Sequence, residues 1–476
     1  MTSTANAFTP RALPSAQPRL LRPGWPLSAL YLGFPLWWAL GLAQLIFLAM
    51  SVAMAVILYK QRPVRVPRGF GIWLLFLVWM SAGLLLLRAR APETVTDFGL
   101  GRVGGFLVGG AWYVAITIVM LYVANTARSV STQRIVRMLG WMFVVTVGFG
   151  VLAVLAPTLE FRSPVELALP KQLASSRFVN TLVHPSLSSS SDFLGYVQPR
   201  PTAPFPYSNA WGNNLALYLP FFILAWFGRD AGWRRKAAPF VLIAAVFPIT
   251  FSLNRGLWIS LAMAAGYAAV RLAVNGRARA LQALVAAVLV GGLVFVSSPL
   301  YDTIVLRVET PHSNDRRAGT AGTVVSVTAD GSPVAGYGST RKMQGSFNSL
   351  AGGETEDCHQ CAAPPLGTQG FMWRLVLTTG FGGTLLCLAF FAFQFLRRAR
   401  GPSPLDVTTC TVLLVAVLCF FVYDSLGSAM FTAFIAIGLM ARADEEPSAE
   451  SAAESAAESA AGSAAGSSAG SMEATP

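Results

Sequence analysis

The chain has 476 residues, 54% of them hydrophobic and only 12% charged, and 35 Lys and Arg outnumber 22 Asp and Glu to give +13 at pH 7. So small a charged fraction, about half that of soluble domains, excludes a disordered protein and argues against a soluble multidomain enzyme. Five cysteines and three histidines are too few for a disulfide scaffold or a metal-rich enzyme.

The N-terminal arm, residues 1–26, is proline-punctuated and carries Arg11, Arg19 and Arg22. No small-residue cleavage site follows the first apolar run, so the arm reads as the start of an uncleaved membrane protein. The tail, residues 443–476, is an Ala/Ser/Glu/Gly repeat holding seven of the 22 acids, and it reads as disordered. Between them, residues 27–442 read as an all-α polytopic membrane domain with about twelve transmembrane helices. The spans fall near 27–42, 44–59, 69–87, 103–125, 139–156, 211–228, 237–253, 255–272, 281–297, 371–396, 405–422 and 427–441. With both termini cytoplasmic, 21 of the 35 basic residues lie in short inside segments, the bias that orients membrane proteins. The positive charge thus reports orientation and gives no support to nucleic acid as a partner; membrane lipids are the expected surroundings.

Two long connections, 157–210 and 298–370, then fall outside, and loops of that length are usually functional. Phe251-Ser252-Leu253-Asn254-Arg255-Gly256 interrupts an apolar stretch at the outer turn of a helical hairpin. It reads either as a polar turn at the water boundary or as an anion contact, with Arg255 as a fixed guanidinium and Asn254 and Gly256 shaping the turn. Before the span at 211, Arg200 and four prolines lead to Tyr207, Asn209, Trp211, Asn213 and Asn214. The aromatic residues suit an interfacial belt; the asparagines suit either a helix cap or sugar hydroxyls. The second connection brings His312, Arg316 and Arg317, then the glycine-flanked Tyr337 and Arg341. Cys358 and Cys361 stand in a CxxC within it, and in an oxidising compartment a local disulfide is the favoured reading. The sequence has no phosphate-binding loop with Lys, no nucleophile elbow, no zinc-protease helix and no DxD-like acidic cluster.

The hairpin Phe251–Gly256, the approach RPTAPFPYSNAWGNN and the late loop PHSNDRR…SPVAGYGSTRKMQGSFNSLAGG…CHQCAAPPLGTQGFMW together resemble the bacterial O-antigen ligase and O-antigen polymerase superfamily, in its actinobacterial branch. The resemblance covers roughly residues 200–390. It implies a metal-independent, cofactor-free glycosyltransferase at the external face of the bacterial cytoplasmic membrane. The donor would be a glycan on a polyprenyl diphosphate, and the acceptor a hydroxyl of a second glycan or lipid. By resemblance Arg255 and Arg316 or Arg317 hold the diphosphate and stabilise it as leaving group; Asn254, Arg200, Asn209 and Arg341 are further candidate substrate contacts. Ligases of the family carry a His-Asn pair before the span that follows the large loop; here that stretch reads Pro364-Pro365-Leu366-Gly367-Thr368-Gln369-Gly370. His312 is then the candidate base, with Glu309 or Asp315 as alternatives or no strong base at all, and the departure favours a polymerase-like enzyme over a ligase. Two competing classes fit the layout: a lipid-linked glycan transporter, which would show internal repeats and mid-membrane charges, and a cell-wall polymerase of the shape-and-division type. The expected disulfide has its own test. Cys358 and Cys361 should resist thiol labelling until reduced, and Cys358→Ser should change mobility on non-reducing gels; two freely labelled thiols would contradict the pairing.

Overall fold

The structure, a computed structural model, describes residues 24–61, 63–95, 99–127, 129–174, 176–192, 197–296, 312–343 and 365–444. The spans expected from hydropathy fall on helical segments, but the first of them, 27–42, is split into two short helices. The first apolar run is α1 (Trp25–Leu32) and α2 (Phe34–Ala39), separated at Gly33, followed by α3 (Leu45–Lys60). Next come α4 (Phe70–Ala82), α5 (Leu100–Asn125) and α6 (Thr132–Leu155). The first long connection folds into three short helices, α7 (Pro164–Ala168), α8 (Lys171–Ala174) and α9 (Arg177–Val183). An antiparallel hairpin, β1 (Ser188–Asp192) with β2 (Val197–Pro201), follows in a register that sets Ser189 opposite Arg200. Then come α10 (Ser208–Phe227), α11 (Trp233–Phe251), α12 (Arg255–Val274) and α13 (Ala278–Val296). The second long connection contains α14 (His312–Gly331), and the chain ends with α15 (Phe371–Arg398), α16 (Pro404–Phe420) and α17 (428–444).

Among the described residues four helices, α5, α6, α12 and α15, are long and apolar enough to cross a membrane, and α3, α4, α13 and α16 are shorter apolar helices. The architecture is that of a helical membrane protein. Its centre is α17, where Phe431, Phe434, Ile435, Ile437, Leu439 and Met440 are all buried, as expected of a helix apolar on every side. Trp73 of α4 packs against Phe434 with ring centroids 4.7 Å apart and donates its indole N–H to Thr117 of α5 at 2.8 Å. At the periphery, Val285, Val288, Leu289, Val290 and Leu293 of α13 are exposed, a surface that suits lipid rather than water.

The second long connection is pinned to α15 by a break in that helix. Gly380 has φ +66°, so α15 loses its regular ladder there. The N–H groups of Tyr337 and Gly338 bond the carbonyls of Leu377 and Thr378 at 2.8 and 2.9 Å, and Phe381 N–H bonds Pro333 at 2.8 Å. A Cβ at Gly380 would lie 2.6 Å from the Ala335 nitrogen. The glycines around Tyr337 therefore serve an approach to another backbone. Trp211 also departs from the interfacial expectation: it is fully buried, with its N–H on the Thr146 carbonyl at 3.1 Å. Tyr207, four residues earlier, is exposed.

Charge at the end of the bundle opposite the long connections is neutralised locally. Asp444 was counted with the disordered tail, but it ends α17 and pairs with Arg397 and Arg398 of α15. Arg442, buried to 2% exposure, donates to the carbonyls of Val123 and Val130 (the latter at 2.7 Å) and to Thr126 Oγ1 at 3.1 Å. Its cation thus sits against the C-terminal end of α5, the negative end of the helix dipole. Arg442→Met strips these acceptors of their donor and should destabilise the protein by about 3 kcal/mol. Denaturant unfolding in micelles checks this; an unchanged midpoint would remove Arg442 from the list of structural cations.

Candidate functional site

At the end of the bundle bearing the long connections, the hairpin turn between α11 and α12 brings several elements together. Ser252 closes α11, Leu253 takes φ +50°, and Asn254 caps α12, its side-chain oxygen accepting from Leu257 N–H at 3.3 Å. The turn therefore places its positive φ on Leu253, and Asn254 acts as an N-cap. Arg255 is the first residue of α12, so its guanidinium and the positive end of that helix dipole lie together. A helix start and a guanidinium side by side are the kind of positive environment that suits an anion.

Arg200 reaches this turn from β2. Buried to 7% exposure, it donates from Nε to the Ser252 carbonyl at 2.6 Å, tying the first long connection to the end of α11. Arg317 arrives from α14. Burial pushes its guanidinium below the ordinary value; Tyr423 opposes that effect and the like charge of Arg255 adds to it. Tyr423, in the connection between α16 and α17, donates its hydroxyl to the Asn254 side-chain oxygen. Burial raises the Tyr423 hydroxyl, and Arg317, Arg200 and the bond to Asn254 act against that rise. Two glycines make the room. A Cβ at Gly212 of α10 would lie 2.5 Å from Asn254 Nδ2, and one at Gly256 would lie 2.8 Å from the Tyr423 ring carbon bearing the hydroxyl.

Asp424 follows Tyr423 and was not among the residues the sequence reading selected. It pairs with Arg374 of α15. Accessible surface leaves 35% of its side chain open, whereas burial is the first cause raising its carboxyl above the usual carboxylate range. Arg374 and the Leu426 backbone N–H pull in the opposite direction. Its only signal in the sequence was a lone acid in a short turn between two apolar runs.

Arg200, Asn254, Arg255 and Arg317 are thus brought together, and other sequence candidates are not. Arg341 is 1% exposed and gives its guanidinium to backbone carbonyls, at 2.9 Å to Tyr337, 3.1 Å to Ser339 and 3.3 Å to Leu87. Burial, with Arg102 adding to it and Tyr337 opposing, pushes its guanidinium down to about 10. It fastens the second long connection to the end of α4 instead of joining the arginine cluster. Asn213 and Asn214 donate to Ser425 Oγ at 3.0 Å and Ser428 Oγ at 2.9 Å, holding α10 to the start of α17. Asn209 is half-buried in the first turn of α10. Buried oxygens of Ser208, Asn213 and Asn214 find no hydrogen-bond partner among the described residues. His312 and Arg316 lie on α14, whose described side chains begin at Arg317. Helix geometry alone sets His312 about 7.5 Å along the axis from Arg317 and about 140° around it. Cys358, Cys361 and Glu309, with residues 298–311 and 344–364 of the second long connection, lie outside the described residues. Among the described residues no group of His, Cys, Asp and Glu is arranged to hold a metal ion.

No protein-family model matches this chain, and no curated protein does. The geometry itself is testable without any assumption about function. Gly256→Ala should destabilise the protein by about 1–3 kcal/mol through overpacking against Tyr423, whereas Gly266→Ala, on the same helix and facing open space, should stabilise it by up to about 1 kcal/mol. Denaturant midpoints measure both; equal effects would contradict the packing of Tyr423 on α12.

Proposed function

We propose that this protein is a metal-independent glycosyltransferase of the bacterial cytoplasmic membrane, with about twelve spans, both termini in the cytoplasm and its site on the external face. It transfers or polymerises glycans carried on a polyprenyl diphosphate. The observation that carries this reading is the convergence of Arg200, Arg255 and Arg317 on the start of α12, beside Tyr423 and Asn254. Three guanidinium groups and a helix N-terminus within apolar surroundings are matched to a multiply charged anion at the lipid boundary. A diphosphate whose lipid tail stays in the membrane has that charge and that location.

The chemistry follows from charge development. An acceptor hydroxyl oxygen bonds to the anomeric carbon as the bond from that carbon to the diphosphate oxygen breaks, with inversion. Negative charge grows on the departing diphosphate, so fixed guanidinium groups stabilise the transition state more than the ground state. Tyr423 and Asn254 position Arg317 and the start of α12. The hydroxyl proton passes to Asp424, the residue after Tyr423; its raised pKa makes it a stronger base than an ordinary aspartate. His312 and Asp315 hold the alternative base role from α14, where sequence reasoning had sought it.

Reconstitution with a polyprenyl-diphosphate oligosaccharide tests the reading. Wild type should extend or transfer the glycan, and Arg255→Lys should lose activity roughly a hundredfold at unchanged expression, because Lys lacks the bidentate fork. Chelators should have no effect. Only deprotonated Asp424 accepts a proton, so activity should fall as pH drops through a pKa above the usual carboxylate range, and Asp424→Asn should remove that acid limb. Translocation of the lipid without transfer, or full activity of Arg255→Lys, would overturn the assignment.

A further inference from the structure

A recess opens beneath the first long connection, on different residues from the arginine cluster. It is a cavity of about 360 Å³ between the α2–α3 connection, the end of α9 and the chain after β2. That volume is at the small end for ligand sites, which run from about 300 to 1,000 Å³. Its walls combine the rings of Trp38 and Tyr207 with the amides of Gln44 and Asn180, the hydroxyl of Thr202 and the imidazole of His184. The lining contains no Lys or Arg, so it does not suit a phosphate.

The walls are held rigidly. Ser163, fully buried, caps α7 by accepting from Glu166 N–H at 3.0 Å and donates to the Val183 carbonyl at 2.6 Å, clamping α7 to the end of α9. The clamp sets Glu166 beside His184, with Nδ1 2.8 Å from the carboxylate, while Nε2 lies 3.8 Å from Glu160. Nδ1–H donating to Glu166 leaves Nε2 as a hydrogen-bonding atom of fixed direction. Trp38 is fixed by T-shaped contacts to Phe149 and Phe161, with ring centroids at 4.8 and 5.7 Å. Gly41 lets the connection after α2 dock here; a Cβ would lie 2.6 Å from the Val183 carbonyl.

We infer that this cavity is a carbohydrate subsite, in which the aromatic walls cover the apolar face of an uncharged sugar ring and His184, Asn180, Gln44 and Thr202 bond its hydroxyls. Fixed aromatic faces beside amide and imidazole groups match a ring with one apolar face and an equatorial rim of donors and acceptors. Placement joins the cavity to the arginine cluster. Arg200 of the cluster and Thr202 of the cavity are two residues apart on extended chain, about 7 Å. The inference rests on the transferase reading insofar as the bound sugar belongs to that reaction, as the acceptor or the distal part of the donor.

Saturation-transfer NMR on the full chain in nanodiscs, free of sugar-headed detergent, tests it. The probes are the methyl glycosides of glucose, galactose, mannose, arabinose and N-acetylglucosamine. At least one should receive saturation on its ring protons. Trp38→Ala, His184→Gln and Asn180→Ala should each weaken that signal about fivefold or more, whereas Arg255→Lys leaves it unchanged. Asn180→Ala removes a cavity amide and leaves the Ser163 clamp and the His184–Glu166 contact in place, so its loss of signal separates binding from a misfolded loop. No saturation of any probe, or undiminished signal in all three variants, overturns the subsite. Sugar binding without turnover of a lipid-linked donor would sink the transferase reading alone; turnover without sugar binding would sink the subsite alone.

Discussion

A guanidinium inside an apolar bundle must be matched by negative charge or by carbonyl oxygens, because burying it unmatched is prohibitively expensive. That constraint organises this protein. Arg442 takes the end of α5, Arg341 takes the carbonyls of the second long connection, and Arg397 and Arg398 share Asp444. Each of these cations joins elements distant in the chain, so the same requirement that neutralises charge also fixes the packing. At the start of α12 the like charge of Arg255 adds to burial in holding the Arg317 guanidinium below its ordinary value. The fold thus ties Arg442, Arg341, Arg397 and Arg398 to its own acceptors and sets Arg255 and Arg317 near one another at the start of α12.

Close packing supplies the other half of the account. Gly212 and Gly256 leave room for Asn254 and Tyr423 at the meeting point of α10, α12 and the α16–α17 connection. Gly380 opens α15 so that the segment around Tyr337 can bond into it. Through these contacts the two long connections are tethered to helices instead of standing free in solvent. A site for a large lipid-linked substrate needs such rigidity, since bound positions must survive the entropy of a long flexible ligand.

Hydropathy made the helices legible because apolar runs of this length have few alternatives, although the run 27–42 proved to be two short helices parted at Gly33. Arg255 was legible for the same reason: a charge inside an apolar stretch stands out. Arg341 was misleading because a loop arginine next to glycines looks like a ligand contact, and only three-dimensional structure shows carbonyls around it. Asn213 and Asn214 were ambiguous for a related reason; their partners, Ser425 and Ser428, are more than two hundred residues away. Asp424 and His184 gave no local signal, since each is an isolated polar residue whose role depends on what the fold sets beside it. The tail boundary slipped because an acid beginning a low-complexity run reads as part of that run, although Asp444 is held by two arginines.

The central claim is that the arginine cluster holds a diphosphate. Equilibrium binding of geranylgeranyl diphosphate to the protein in nanodiscs tests it most directly, comparing wild type with Arg255→Gln, Arg317→Gln and the double variant. The account predicts salt-sensitive binding that each single change weakens at least about tenfold, with the double variant losing less than the sum because both groups share one ligand. Affinity that is unchanged in the variants, or equal for geranylgeraniol lacking the diphosphate, would contradict it.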